Sequence, residues 1–575
     1  MMRIAIRALA LCSLLVFGAC GGSGDDGDEA DAMLVLDPPT TELLILNGTP
    51  ATQAYTATLV FPDGHTRDVT AETVFTVDGA FGTFAGNTAS ITTAGKTQVF
   101  GQRNDKVGTA QILARLKSTR VDDPTLPPNT PDLFGGPEDP TRAPTVVYPP
   151  VDVVMPRNLG DFETHWVDAS GNDVFEVSLH TEFADVRVYV RGGNGNPAAG
   201  PMPSFTAFLA QEWISAVGLE ENVQYQVRGI QLANPVSVGS AAPRLVKLSN
   251  ETMEGGLYYW AAASTNGAEG IFRHDMAKPG QPAEEFMTTN QTAGRCVACH
   301  VLSKDGTKMA ITYDGGNQNG TLIDVATGTR QPDSTQWNFA TFTPDGSKLL
   351  TVFNGVLSVR NSADQSVLTT MPASGIVSHP DLSPDGTRLV YVSRSPGSDW
   401  DFTTGSLYTR TYDAVTNTFG AETPLVADGA NNFYPSWSPD GQWILYNRAD
   451  AGTSSYNNAN ASLYVVKSDG SLPPVQLAVA NAGLGLTNSW GRWAPFQQTV
   501  GANHDPIYWI TVSSKRNFGV RLVGAGRPQI WMTPFFPGKA STSADPSVEA
   551  FRLPFQNIES NNHIAQWTER VVTTQ

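Results

Sequence analysis

Two cysteines and a histidine stand together as Cys296-Val297-Ala298-Cys299-His300, in a chain whose only other cysteines are Cys12 and Cys20. Thiols three positions apart can bond the two vinyl groups of one porphyrin, and the adjacent imidazole can then reach its iron. This C-x-x-C-H spacing is the attachment pattern of haem c, with Cys296 and Cys299 as thioether donors and His300 as proximal ligand. Three other chemistries use a C-x-x-C pair. It can close as a structural disulfide, act as a thioredoxin-like redox pair, or form half of a zinc site. The redox pair wants a βαβ context that the flanking sequence lacks. The zinc site wants a second Cys pair or grouped histidines, and the chain has neither. The sixth iron position decides between an electron relay and a catalyst. His563, in Asn561-Asn562-His563, is the first candidate, His379 the second, and Met287 and Met309 follow by nearness in sequence. Lys515 and Arg516 are candidates to meet haem propionates, with exposed loop charges as the plainer reading. Asp314-Gly315-Gly316-Asn317 reads as a turn before it reads as a cation loop.

The elements that must hold these residues are strands. Only three positions separate His300 from a run that recurs: LSKDGTKMAITY (302–313), FTPDGSKLLTVF (342–353), LSPDGTRLVYVS (382–393) and WSPDGQWILYNR (437–448). In each copy Pro or its substitute presets a turn, Asp bonds the backbone ahead and Gly takes positive φ before an apolar strand begins. A unit of about 40 residues that forms one small sheet cannot bury both faces alone, and copies arranged in a ring solve the problem. These motifs resemble the TolB-like and WD-repeat β-propellers, closest to the TolB-type S-P-D-G pattern. A degenerate copy follows at Arg492–Phe496 with the strand IYWITVSS (507–514), and 256–276 reads as a preceding blade. With 561–572 as closing strand, the expectation for 246–575 is six blades, with seven as the alternative. The run CVACHVLSKDGTKMA (296–310), with NSWGRWAPF (488–496) and NNHIAQWTE (561–569), resembles exported propeller lipoproteins that carry an embedded c-type haem motif. That resemblance implies a fold and a cofactor, and no assigned reaction. A haem here sits at the propeller itself, since no helices flank the motif.

Upstream, short alternating strands between Gly, Asn and Asp turns over 33–116 predict a β-sandwich. The runs DVTAETVFTVD (68–78) and AGNTASITTAGKTQVFGQ (85–102) resemble bacterial immunoglobulin-like domains, which act mostly as spacers. Residues 117–156 are rich in Pro, which fixes φ and removes donors, so they read as a linker or a strapped loop. Residues 157–245, with FETHWVD (162–168) and VQYQVRG (223–229) as core strands, weakly resemble a fibronectin type III sandwich. Gln211–Leu219 is the one short helix expected there.

The first nineteen residues read as a leader, with Arg3 and Arg7 before an apolar stretch from Ala8 to Phe17. Phe17-Gly18-Ala19-Cys20 resembles a bacterial lipobox, with Phe17 where Leu is usual. The resemblance implies lipidation at Cys20, and Gly21 after it favours the outer membrane. Residues 20–32, small and acidic, read as a flexible tether. Ordinary secretion with nearby cleavage, or an uncleaved anchor, are the alternatives.

Composition closes off other classes. The chain has 575 residues, 37 Lys+Arg against 55 Asp+Glu and a formal charge of −18, so a nucleic-acid partner is not expected. Gly and Pro together number 93, which disfavours long helices. There is no G-x-S-x-G elbow, H-E-x-x-H motif or P-loop to support a hydrolase or a nucleotide enzyme. The expectation is an all-β, lipid-anchored envelope protein, on the periplasmic or surface face. Its propeller carries a c-type haem for electron transfer to an unknown redox partner. With an open sixth position the haem would instead activate a small oxidant such as peroxide. The alternative is a non-enzymatic propeller that docks envelope proteins or glycans, its C-x-x-C a disulfide.

Overall fold

The computed structural model describes residues 29–196, 201–262, 268–315, 318–333 and 335–572. The leader, Cys20 and most of the acidic tether lie outside the described residues.

Alternation builds the N-terminal unit. In Met33–Asp37 the even positions Leu34 and Leu36 are buried and the odd ones exposed, and the strand pairs antiparallel with Thr56–Val60. A sixteen-residue strand, Lys106–Val121, pairs antiparallel with Gly95–Arg103. It does not stop at residue 116. Leu116–Val121 continues beside Ala184–Tyr189 in parallel, so one ten-stranded sheet runs from the first unit into the second. The Pro-rich stretch is strapped down. Two 3-10 turns, Thr130–Gly135 and Pro140–Arg142, carry it across the second unit, and Leu126 and Phe134 bury against Tyr189 and Ile230. It ends in Thr145–Tyr148, which pairs with Phe162–Val167. The short helix is Ala210–Val217, where the Glu212 carboxylate accepts from the Leu209 N–H at 2.8 Å and Trp213 stacks on Phe162 with centroids 4.5 Å apart.

Among the described residues the remaining chain forms four sheets of four antiparallel strands and one of nine, in which two antiparallel groups meet at a single parallel pairing of Gly405 with Asn431, so that six sets of strands result. Their innermost strands are Val297–Leu302, Phe339–Phe342, Ile376–Leu382, Asn431–Trp437, Ser489–Val500 and Asn561–Thr568. Each packs beside the next, and the last returns to the first, so the ring closes on six blades. The C-terminal strand Asn561–Thr568 enters the sheet of Gly256–Ala262, so the two ends of the ring are held in one blade by backbone hydrogen bonds. The repeated turn explains itself in side-chain geometry. Ser303, Thr343, Ser383 and Ser438 each donate a hydroxyl hydrogen bond to the aspartate two residues on, at 2.7, 2.6, 2.5 and 2.5 Å. The glycine that follows stands at φ between +65° and +73° in all four.

Sandwich and propeller are packed together. His165 of the second unit donates its Nε2–H to Glu163 at 2.9 Å, its Nδ1 accepting from the Val520 N–H, and Arg521 from the propeller donates to both Glu163 oxygens at 2.8 and 2.9 Å. Gly519 passes so close that a Cβ there would lie 1.9 Å from His165 Nδ1.

Candidate functional site: the propeller channel

The repeat register puts one set of residues on the channel wall. Four residues before the turn-opening Ser303, Thr343, Ser383 and Ser438 stand Cys299, Phe339, His379 and Tyr434, and Trp490 and Ile564 take the matching place on the last two inner strands. The ladder is interrupted at this level. Pairing shifts register across it in Val297–Leu302, Ile376–Leu382, Asn431–Trp437 and Ser489–Val500. His379, Tyr434, Trp490 and Ile564 adopt φ of +43°, +52°, +54° and +58°. Left-handed backbone at aromatic and β-branched residues is costly, and such strain gathers where a wall is shaped for use. The bulge turns these side chains toward the axis, where they pack on one another. Tyr434 stacks on Trp490 at 4.1 Å, and Phe339 meets the His379 ring edge-on at 4.1 Å.

Above this ring a cavity of about 580 Å3 opens at one mouth of the channel. Its walls include Cys299, Trp260, Phe339, Trp400, Tyr434, Tyr456 and Trp490, with His563 and Lys515 among them. Below the ring the channel narrows to about 30 Å3, bordered by Cys299, His300, Asn338, His379 and Arg492. It then widens to about 320 Å3 at the far mouth, where Lys304, Asp381, Arg492 and Glu569 gather.

The thiols differ. Cys299 Sγ donates to Asn338 Oδ1 at 3.6 Å, and enclosure of its sulfur pushes the thiol up to about 11, although the Thr312 hydroxyl pulls the other way. Cys296 precedes the strand and is partly buried. Its thiol is also raised, by burial first and then by Glu269 and Asp314. The two sulfurs are not bonded to each other. His300 is buried, only 4% exposed, at the constriction.

The sequence-predicted ligands separate into two groups. His563 borders the upper cavity, edge-on to Trp260 at 4.6 Å. Burial, then the Lys515 charge, brings its imidazole down to about 4, so it is neutral at physiological pH with a lone pair available. His379 borders the constriction, one level below. Met287 and Met309 are instead buried in a blade core with Ile271, Val297 and Ile311, because their strand positions face the neighbouring blade. Lys515 borders the cavity and donates to Asn457 Oδ1 at 2.9 Å. Arg516 turns away: it donates to the Ala480 carbonyl and Asn488 Oδ1, its guanidinium sits over Trp531, and burial lowers it to about 10. Asp314 pairs with Arg295 at 3.4 Å, while Gly316 and Asn317 lie outside the described residues. Among the described residues no three His, Cys, Asp or Glu side chains converge on a metal position, so a half-zinc site finds no completing donors there.

The aromatic wall and Arg492 were not singled out from the sequence. Part of the signal was present, because counting back four residues from the four repeated turns lands on Cys299, Phe339, His379 and Tyr434.

No protein-family model matches the chain, and no curated protein does either. Solved structures do. TolB from Acinetobacter baumannii is 14% identical with a TM-score of 0.38, over 60% of this chain and 79% of that one. The chain is distantly similar in structure to TolB-like β-propeller proteins. The putative TolB from Agrobacterium tumefaciens matches at 13% identity and TM-score 0.30, over 56% of this chain and 94% of its own. Kuenenia stuttgartiensis hydrazine synthase matches at 15% and 0.31, over 46% of this chain and 66% of its own.

Proposed function

We propose that this chain is an exported envelope lipoprotein whose propeller carries one covalently attached c-type haem used for electron transfer. One observation carries the reading. Cys299 of the C-x-x-C-H motif borders an aromatic cavity of about 580 Å3 that also presents a neutral imidazole, His563. That volume falls within the usual range for cofactor sites, roughly 300–1,000 Å3, and its apolar wall with few polar groups has the composition such sites share.

Cys299 and His563 border this cavity, and His300 borders the constriction beneath it. Cys296 and Cys299 would hold the group through their sulfurs, and His300 and His563 would offer imidazole nitrogens to its iron. Lys515 is the cation placed to meet a propionate at the cavity wall. Bound there, haem supplies one-electron chemistry at a potential set by its axial ligands. The chain does the rest. Trp260 donates its indole N–H to the Val297 carbonyl at 2.6 Å and so fixes the strand that begins one residue after Cys296. The stacked Tyr434 and Trp490 close the cavity floor and limit water. A half-buried, neutral His563 needs no proton removed before it can ligate.

In this reading Cys20 is lipidated, the tether 20–32 reaches from the membrane, and the Ig-like and fibronectin-like units raise the propeller from an outer-membrane surface toward its redox partner. Protein isolated from its native envelope should give a pyridine haemochrome spectrum and a covalent haem mass on the 296–300 peptide. Both should vanish in Cys296→Ala/Cys299→Ala. Colourless, fully folded protein from a strain competent in haem attachment overturns the reading.

A further inference from the structure

Three polar atoms on the channel wall have no protein partner among the described residues: Asn338 Nδ2, His379 Nε2 and Tyr434 Oη. Their residues are 0%, 4% and 1% exposed. Asn338 and His379 border the constriction and Tyr434 the cavity above it. Buried polar groups are rarely left unmade, so the two at the constriction point to something that satisfies them. Their chemistry agrees in sign. His379 Nδ1 accepts the Tyr434 backbone N–H at 3.4 Å, which leaves the proton on Nε2 and makes that atom a donor. Asn338 offers its unpartnered NH2 to the constriction.

A cation stands beside them. Arg492 borders the same constriction and donates to the Gly491 carbonyl at 2.9 Å, yet forms no ion pair among the described residues. Asp381 acts on it from the far-mouth side, where that carboxylate is already engaged by the Trp437 N–H at 2.8 Å and the Thr341 hydroxyl at 3.3 Å. The charges that act on His379 are those of Arg492 and Arg394, both positive, and Arg394 is itself paired with Asp399 at 2.5 Å. Donors without acceptors beside a buried guanidinium make a site for negative charge.

We propose that the constriction is a binding site for a small inorganic anion of one to three heavy atoms, held by Asn338 Nδ2, His379 Nε2 and Arg492. Size sets the class, because about 30 Å3 admits an ion little larger than water and excludes organic acids. The site stands on the channel wall and does not depend on the haem reading.

Bromide is the probe. Crystals of the full chain soaked in sodium bromide should show an anomalous difference peak between Asn338, His379 and Arg492. The peak should weaken in Asn338→Leu and fall to background in Asn338→Leu/His379→Phe. No wild-type peak there overturns the proposal, and so does a peak that persists undiminished in the double variant. The two readings separate cleanly. A haemochrome band without the bromide peak leaves the haem and retires the anion site, and a peak in colourless protein does the reverse.

Discussion

Enclosure of the Cys299 sulfur makes a quantitative prediction about thiol reactivity. Only the thiolate attacks an alkylating agent. A thiol at an ordinary value near 9 is about 1% ionised at pH 7, whereas one raised to about 11 is about 0.01% ionised. In protein made without haem-attachment machinery, iodoacetamide should therefore label Cys299 roughly 100-fold more slowly than a free thiol, before any further slowing by limited access. The rate should climb about tenfold per pH unit toward pH 10. Peptide mass spectrometry at 296–300 reads Cys296 and Cys299 separately. In protein from the native envelope neither should label at any pH, because thioethers have no thiol to ionise. Labelling of Cys299 at the free-thiol pace at pH 7 would refute the enclosure. Labelling of both cysteines in native protein would refute the thioether linkage. The same shift has a stability sign. The folded state favours the neutral thiol, so its contribution is full below pH 9 and is lost as pH rises toward 11.

Two further outcomes test the packing around the site. His274 is buried flat against Phe555 at 3.9 Å, and burial brings it down to about 4. Its folded value lies below its unfolded one, so its contribution is present above pH 6.5 and lost as pH falls toward 4. The loss is on the order of 3 kcal/mol, and His274→Phe should flatten that limb in urea unfolding measured against pH. At the joint between sandwich and propeller, His165 and Arg521 hold the Glu163 carboxyl down to about 2 against the opposing effect of its burial. Arg521→Met strips one partner from that enclosed carboxylate and should cost about 3 kcal/mol. Limited proteolysis should then release the propeller from the N-terminal units faster than in wild type, and an unchanged cleavage rate would show the ion pair to be dispensable.

Much of this molecule follows from local rules. A hydroxyl residue, an aspartate two positions on and a glycine make the same turn wherever they recur, so the blades and their strands are legible in the chain before it folds. The C-x-x-C-H spacing is equally local, since covalent geometry fixes how far apart neighbouring thiols and an imidazole can stand. What local rules cannot supply is which residues meet across the ring. Met309 lies nine residues from His300 yet faces a blade core, while His563, more than 260 residues away, borders the same cavity as Cys299. Closure through the C-terminal strand brings it there. The strand Lys106–Val121 passes the Pro-rich boundary for the same kind of reason: its exposed edge finds Ala184–Arg191, a partner distant in sequence. Strand periodicity decides only which of two faces a side chain takes. Whether that face meets a neighbouring blade, a cavity or the channel axis depends on bulges and ring closure, which are settled by packing among all six blades at once.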